Sequence, residues 1–231
     1  MQRVFLVGMY GFMLLLAGAI QAADSKSVPL YNGKDLTGWR GQGMHDPAVW
    51  NDMKSEDREK TQAKYNDDMR SHWRAEGEEI INDGKGVYLT TDKDYGDFIL
   101  ELEWKMMKAD GDSGIYLRGY PQVQIWDPAC EKDKKLGADK GSGALWNNTD
   151  PKNGKFPLVV ADKPVGEWNK MRMEMRGEKV TITLNDKLVV DGATMENYYK
   201  RGTPISATGP IQLQTHGSEM RFRNITIQEL K

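Results

Sequence analysis

The chain lacks the cysteines that would hold a small exported domain together by disulfides. Its 231 residues contain one cysteine, Cys130, so no intramolecular disulfide can form. It also lacks an excess of either charge, because the formal net charge of -2 provides no basic field for nucleic acid or acidic lipid. Internal repeats and low-complexity linkers are missing as well. We therefore expect a single domain held by core packing.

Long apolar runs are missing except at the start. After Arg3, residues 4–20 carry no charge, and Ala22 places a small residue before Asp24. This order is typical of a secretory signal. A membrane anchor is the alternative, but the run is short for a span of roughly 20 residues. We expect a signal peptide over residues 1–22, export to the periplasm or the medium, and no membrane span after signal cleavage.

The mature chain, residues 23–231, is rich in two-residue alternation of apolar and polar side chains. Such alternation is typical of strands with one buried face, and it occurs at residues 97–105, 170–176 and 180–184. Short turns at residues 177–178 and 185–186 predict an antiparallel meander up to residue 190. Further strands are predicted at residues 86–90, 114–119, 123–127, 210–215 and 220–229.

The last of these strands changes phase, because Phe222 and Ile225 cannot share one face of a regular strand. A β-bulge near Arg223–Asn224 would reconcile them. Many short strands with glycine-rich turns predict an all-β sandwich or jelly roll rather than a parallel sheet.

Residues 55–73 depart from the alternation. They are highly charged, contain no Gly or Pro, and begin with Ser55, Glu56 and Asp57, which suit a helix start. We predict a surface helix within an insert over residues 44–72. Its role stays open between a solvated helix and a part of the site.

Several separated motifs occur in a fixed order along the mature chain. They are LYNGKDLTGW (30–39), YGDF (95–98), DSGIYLRG (112–119), QVQIWD (122–127), GEWN (166–169), GPIQLQTHG (209–217) and FRNI (222–225). In that order they resemble the 3-keto-disaccharide hydrolase family, and several ordered motifs are more specific than one short pattern. The resemblance implies a concanavalin-like jelly roll of two antiparallel sheets.

The same resemblance implies oligosaccharide or glycoside substrates that carry a ketone at C3. It also implies cleavage by elimination followed by hydration, with a divalent metal cation in some members. This sequence departs from shorter members in its insert, in a longer loop at residues 138–148, and in Gln122, where a Glu often stands. The last difference argues against simple two-carboxylate hydrolysis, and hydrolase and lyase both stay open.

Cleavage of a 3-keto sugar needs a base for the C2 proton, a stabiliser for the enolate oxygen and an acid at the leaving group. His216 is the first candidate for acid or base, since it lies at a strand end beside Gly217. Glu103, on the polar face of its predicted strand, is a second candidate as base or metal ligand. His45, in a glycine-containing loop, is a third. Each residue could equally have a structural role.

Six side chains are candidates to bind the sugar: Arg118, Gln122, Gln124, Trp126, Asp127 and Lys140. The two amides and the indole share one strand face and suit a neutral sugar, although the indole could belong to the core. The guanidinium could steady an enolate or form a salt bridge. The carboxylate could orient a base or bind a metal, and the lysine could act as a lid.

Three functions compete. The first is an enzyme that cleaves 3-keto glycosides, and the second is a non-catalytic carbohydrate-binding module of the same fold. The third is an ordinary glucanase, whose strand would carry two Glu with an Asp between them, whereas Glu101–Leu102–Glu103 lacks that arrangement. Zinc-type spacing such as His-x-x-x-His is absent from the sequence, so any metal must be held by residues distant in sequence.

Overall fold

Two antiparallel β-sheets pack face to face in the computed structural model, which describes residues 26–231. The expected signal peptide, residues 1–22, lies outside this range. The strands are β1 (Val28–Pro29), β2 (Trp39–Gln42), β3 (Trp73–Glu76), β4 (Glu79–Asn82), β5 (Tyr88–Thr91), β6 (Phe98–Met106), β7 (Asp112–Leu117), β8 (Tyr120–Trp126), β9 (Asn169–Arg176), β10 (Lys179–Leu184), β11 (Lys187–Thr194), β12 (Gln212–Leu213) and β13 (Met220–Glu229).

The larger sheet has the order β11-β10-β9-β6-β13-β4-β3, and β1 also pairs with β13. The smaller sheet has the order β2-β5-β12-β7-β8. Neighbouring strands in both sheets run antiparallel, and β9, β10 and β11 form the predicted meander. The all-β sandwich of two antiparallel sheets is thereby confirmed.

Alternation along the strands builds the core. In β9 the apolar members Met171, Met173 and Met175 are fully buried, as are Phe98 and Leu100 in β6, and the polar residues between them face outward. The predicted bulge in β13 is also confirmed. Its pairing with β6 shifts register between residues 223 and 226, and the backbone of residue 224 has a positive φ of 52°.

Two helices, α1 (Pro47–Asp52) and α2 (Ser55–His72), form the insert, and α2 confirms the predicted surface helix. Ser55 is the first helical residue and not the cap, because Lys54 holds the cap position. Short 3-10 turns lie at Glu131–Leu136 and Ala138–Lys140, and an irregular turn lies at Pro151–Lys155. Within residues 26–231, none of the helices has the length and apolar character needed to cross a membrane.

Helix α2 covers the exposed edge of the smaller sheet at β2. Gln62 Nε2 donates to the carbonyl of Gly41 at 2.7 Å, and the amide of Gly41 donates to Asn66 Oδ1 at 3.0 Å. These bonds satisfy backbone groups that an edge strand would otherwise leave open to another chain. They also bring the helix backbone so close to Gly41 that a side chain has no room there.

We expect Gly41→Ala to destabilise the fold, because its Cβ would lie 2.1 Å from the carbonyl oxygen of Tyr65. Overpacking of this kind costs about 1–3 kcal/mol of unfolding free energy. Gly96→Ala is the matched control, since its Cβ would meet its nearest neighbours at 3.7 Å. Urea unfolding of both variants measures the difference, and equal stability would contradict the close docking of α2.

Candidate active site on the smaller sheet

The outward face of the smaller sheet is polar but largely shielded from solvent. Its strands turn residues such as Leu89, Ile115 and Leu213 into the core. The alternate positions therefore face outward, and they are Arg40, Gln42, Tyr88, Thr90, Asp112, Gly114, Tyr116, Gln122, Gln124, Gln212 and Gln214. All four glutamines of β8 and of residues 212–214 are buried. Shielded amides and phenols are what a face that binds neutral sugars requires.

Gly114 lies in the middle of this face and lets the amides approach each other. A Cβ at Gly114 would lie 2.9 Å from Gln214 Oε1 and 3.2 Å from Gln122 Cδ. Among the described residues, the buried Gln214 Oε1 has no hydrogen-bond partner. The centre of the face therefore carries an acceptor that a bound hydroxyl could satisfy.

A chain of hydrogen bonds crosses the face and ends at a histidine. Gln122 Nε2 donates to Gln124 Oε1, and Gln124 Nε2 donates to Asp112 Oδ1 at 2.8 Å. The other carboxylate oxygen, Asp112 Oδ2, lies 3.3 Å from His216 Nδ1. This series of hydrogen bonds fixes the Asp112 carboxylate, and the carboxylate orients the His216 imidazole.

His216 is prepared to exchange a proton with a ligand. The hydrogen bond and the negative charge of Asp112 raise its pKa above 6.5, although partial burial opposes the rise. Because Asp112 engages Nδ1, Nε2 is the nitrogen available for proton transfer, as in other Asp-His pairs. The His216 side chain is 60% exposed, so a ligand can reach it.

His45 lies on the β2 side of the face and is held in its neutral form. Its ring stacks on Trp50, with centroids 4.9 Å apart, and burial together with the charge of Arg40 lowers its pKa. Gln42 Oε1 accepts from Arg40, so Gln42 Nε2 is the group that faces His45 Nε2 at 3.0 Å. His45 Nε2 must therefore accept, which places its proton on Nδ1.

Three tyrosines place hydroxyl groups on the same face. Tyr88 Oη lies 3.5 Å from Tyr116 Oη and accepts from Gln214 Nε2 at 3.2 Å. Tyr199 packs on Tyr120 with ring centroids 5.8 Å apart, and within residues 26–231 its buried Oη has no hydrogen-bond partner. Burial, then the charge of Tyr88, raises the pKa of both Tyr116 and Tyr199, so these phenols are neutral donors.

The structure brings together several of the predicted residues, namely His216, His45, Gln122 and Gln124, but it places Glu103 elsewhere. Glu103 lies on the outward face of the larger sheet, where it accepts from Arg223 Nε at 2.7 Å and Asn224 Nδ2 at 3.1 Å. Burial opposes its ionisation, but these bonds outweigh burial and lower its pKa. Glu103 and His216, both candidates for proton transfer, therefore do not meet, because the outward faces of a sandwich point in opposite directions.

Arg118 has the salt-bridge role. Its guanidinium is buried and donates to the carbonyl of Gly96 at 2.8 Å, to the carbonyl of Ser206 at 3.3 Å and to Asp97 Oδ1 at 2.8 Å. These bonds hold two loops around it. Because the side chain is buried beneath these contacts, Arg118 is not part of the site we describe.

The other three predicted binding residues also support loops. Trp126 Nε1 donates to the carbonyl of Gly141 at 2.8 Å, and Asp127 accepts from two backbone amides, those of residues 110 and 129. Lys140 Nζ lies 3.6 Å from the ring centroid of Phe156. Trp126 and Asp127 line a separate pocket at one end of the sandwich.

The donor set of the face does not offer the three protein ligands of a catalytic zinc site. Within residues 26–231, no group of three or more His, Cys, Asp or Glu side chains is placed to hold a metal ion. The nearest pair, Asp112 and His216, is already in mutual contact. A catalytic zinc takes three protein ligands. We therefore derive no step through a metal, and the metal cofactor stays a prediction.

Sequence reasoning missed Asp112, Tyr88, Gln214 and Tyr199. Asp112 could have been found from strand parity. It lies on the same face of β7 as Tyr116, just as Gln122 and Gln124 share one face of β8. Tyr199 could not, because it lies in an irregular segment between β11 and β12, where no periodicity indicates which way a side chain points.

Comparisons with known proteins place this chain in a family of carbohydrate-active proteins. A family model described as "3-keto-alpha-glucoside-1,2-lyase-like domain" matches residues 26–228. A relative from Bacteroides thetaiotaomicron, named 3-keto-disaccharide hydrolase, is 25% identical over a gapped alignment of 256 positions that covers 88% of this chain and 78% of the relative.

Two solved structures from Parabacteroides distasonis, both provisionally named glycosyl hydrolases, share the fold. Each is 22% identical and covers 89% of this chain. One matches over 94% of its own length with a TM-score of 0.57, and the other over 100% with a TM-score of 0.62.

We expect nuclear magnetic resonance to find the pKa of His216 above 6.5 and that of His45 below it. Asp112→Asn should lower the pKa of His216, because it removes the charge that stabilises the imidazolium. Glu131→Gln, an exposed carboxylate outside this contact, is the control. An unchanged His216 pKa in Asp112→Asn would contradict the pairing.

Proposed function

Since the chain belongs to the 3-keto-α-glucoside-1,2-lyase-like family, as its ordered motifs predicted, we propose that it cleaves the glycosidic bond of 3-keto glycosides. The coarser statement, a carbohydrate-active protein of this family, rests on the family match and the relative named 3-keto-disaccharide hydrolase. One observation supports the proposed cleavage of 3-keto glycosides: a face of amides and phenols ends at an Asp112–His216 pair. We also propose that the apolar leader exports the protein to the periplasm or the medium.

In the proposed first step, His216 Nε2 removes the proton at C2 of the sugar. The ketone at C3 makes this proton acidic, and the electron pair moves onto the C3 oxygen as an enolate. The raised pKa makes His216 a stronger base than ordinary imidazole, and a catalytic pKa near neutral pH suits proton transfer. Asp112 stabilises the imidazolium that forms.

Neutral donors then hold the negative charge on the C3 oxygen. The Tyr199 hydroxyl is buried and has no hydrogen-bond partner in the described chain. It could therefore donate a hydrogen bond to an enolate oxygen without displacing a protein group. His45, neutral with its proton on Nδ1, is a second donor at the β2 side. Donors placed in advance are an effective way to lower the barrier to an enolate.

The enolate collapses in the second step. A double bond forms between C1 and C2, the bond from C1 to the glycosidic oxygen breaks, and that oxygen takes a proton from the imidazolium of His216. Water then adds across the double bond, with its hydroxyl at C1 and a proton at C2. The sum of the steps is hydrolysis, so lyase and hydrolase describe an early and a late stage of one path.

The buried amides explain why a neutral sugar would bind there. Gln42 and Gln214 lie two strands apart, so their backbones are separated by about 10 Å, two interstrand spacings. The intervening surface carries both donors and acceptors. A non-catalytic binding module would need the same amides, but it would not need a paired histidine with a raised pKa.

We expect the purified protein to release the aglycone from a 3-keto-glucoside and to leave the matching unoxidised glucoside intact, because only the ketone acidifies C2. Deuterium at C2 should slow release wherever proton removal limits the rate. Assays with EDTA and with added divalent cation test the metal prediction in the same experiment. Glycan binding without release under every condition would favour the carbohydrate-binding module.

Tyr199→Phe should lower kcat by about 10²- to 10³-fold, as loss of one oxyanion donor does in other enzymes. KM should change little, because the hydroxyl matters most once the enolate forms. Tyr198→Phe is the matched control, since Tyr198 is the adjacent and more exposed tyrosine. A Tyr199→Phe variant as active as the Tyr198→Phe variant would remove Tyr199 from the mechanism.

A further inference from the structure

A pocket lies at one end of the sandwich, against the larger sheet. Its volume is about 250 Å³, and Trp104 and Met106 of β6 contribute walls from the inner side of the larger sheet. Trp126, Val160 and Val165 add further apolar wall, and Asp127, Asp162, Lys163 and Asn169 are the polar members of the lining. None of the residues placed in the candidate active site above lines this pocket.

Two residues of this lining carry buried polar atoms without partners. Within residues 26–231, neither Trp104 Nε1 nor Asp162 Oδ1 makes a hydrogen bond, and both are shielded from solvent. Unpartnered buried polar atoms are uncommon in folded proteins, and each one needs an explanation. One donor and one acceptor are therefore left open on residues of the same lining, and a hydroxyl is a group that can serve either of them.

Asp162 is suited to such a group. Its other oxygen, Oδ2, accepts from the amide of Ser142 at 3.0 Å, which fixes the carboxyl in the wall. Burial raises the pKa of Asp162, so a neutral hydroxyl is a better partner for it than a second anion.

The mouth of the pocket is apolar and accessible. Val160 is 45% exposed and Val165 is 39% exposed, although both are apolar. A cavity of roughly 150 Å³ is large enough for benzene. A pocket of about 250 Å³ therefore has room for one substituted aromatic ring.

We propose that this pocket is a binding site for a small hydroxylated aromatic molecule of the phenol type. The ring lies between the indoles and the valines, and the hydroxyl group supplies the partner that Trp104 and Asp162 lack. This proposal does not depend on the proposed glycoside cleavage, and either can be correct without the other.

The test is titration of the full chain with phenol, followed by calorimetry and by the fluorescence of the pocket tryptophans. We expect saturable 1:1 binding, with benzene at least about tenfold weaker because it leaves both polar atoms unpartnered. Val165→Trp should abolish binding by filling the mouth. Val159→Trp is the matched control, because Val159 is 41% exposed but does not line the pocket.

Trp104→Phe removes the indole N–H together with part of the pocket wall. It should weaken phenol more than benzene, because only phenol also loses the polar contact, and thermal unfolding checks that the variant is folded. If it does not fold, the Val165→Trp and Val159→Trp pair still decides the matter. Absence of saturable phenol binding, or equal binding by the two valine variants, would overturn the proposal. The pocket would then be a water-filled cavity.

Discussion

Buried amide groups on the outward face of the smaller sheet must find hydrogen-bond partners, and this requirement organises the candidate site. Gln122 donates to Gln124, Gln124 donates to Asp112, and the other oxygen of Asp112 faces His216. Gly114 makes this possible, because any side chain there would push the amides apart. An unpaired buried polar group costs about 1–3 kcal/mol, so the network can keep one orientation of the histidine.

The insert contributes to the same site at its β2 edge. Helix α2 is bonded to the backbone of Gly41, and the segment before it carries His45 to Gln42. The two histidines therefore meet opposite environments. A carboxylate favours the charged form of His216, whereas burial and Arg40 favour the neutral form of His45. Environments that push two pKa values apart are typical of sites that move protons.

The sequence predicted the fold well because strand alternation records burial directly. It predicted the sandwich, the helix of the insert and the bulge at residues 223–224, since each leaves a local periodicity, but β3 and β4 were not among the predicted strands. It predicted the site less well. Glu103 does lie on the polar face of its strand, as alternation predicts, but alternation does not say which of the two sheets that strand joins. Arg118 was expected to meet a ligand, whereas long-range contacts with Asp97 and Ser206 bury it.

The central claim is that the Asp112–His216 pair removes the proton at C2. The most direct measurement is exchange of that proton in D₂O, using a 3-keto sugar that lacks a leaving group at C1, so that nothing after proton removal contributes. The account predicts rapid loss of the C2 proton signal with the unmodified protein and loss of this exchange in His216→Gln. Exchange at the same rate in His216→Gln would contradict it.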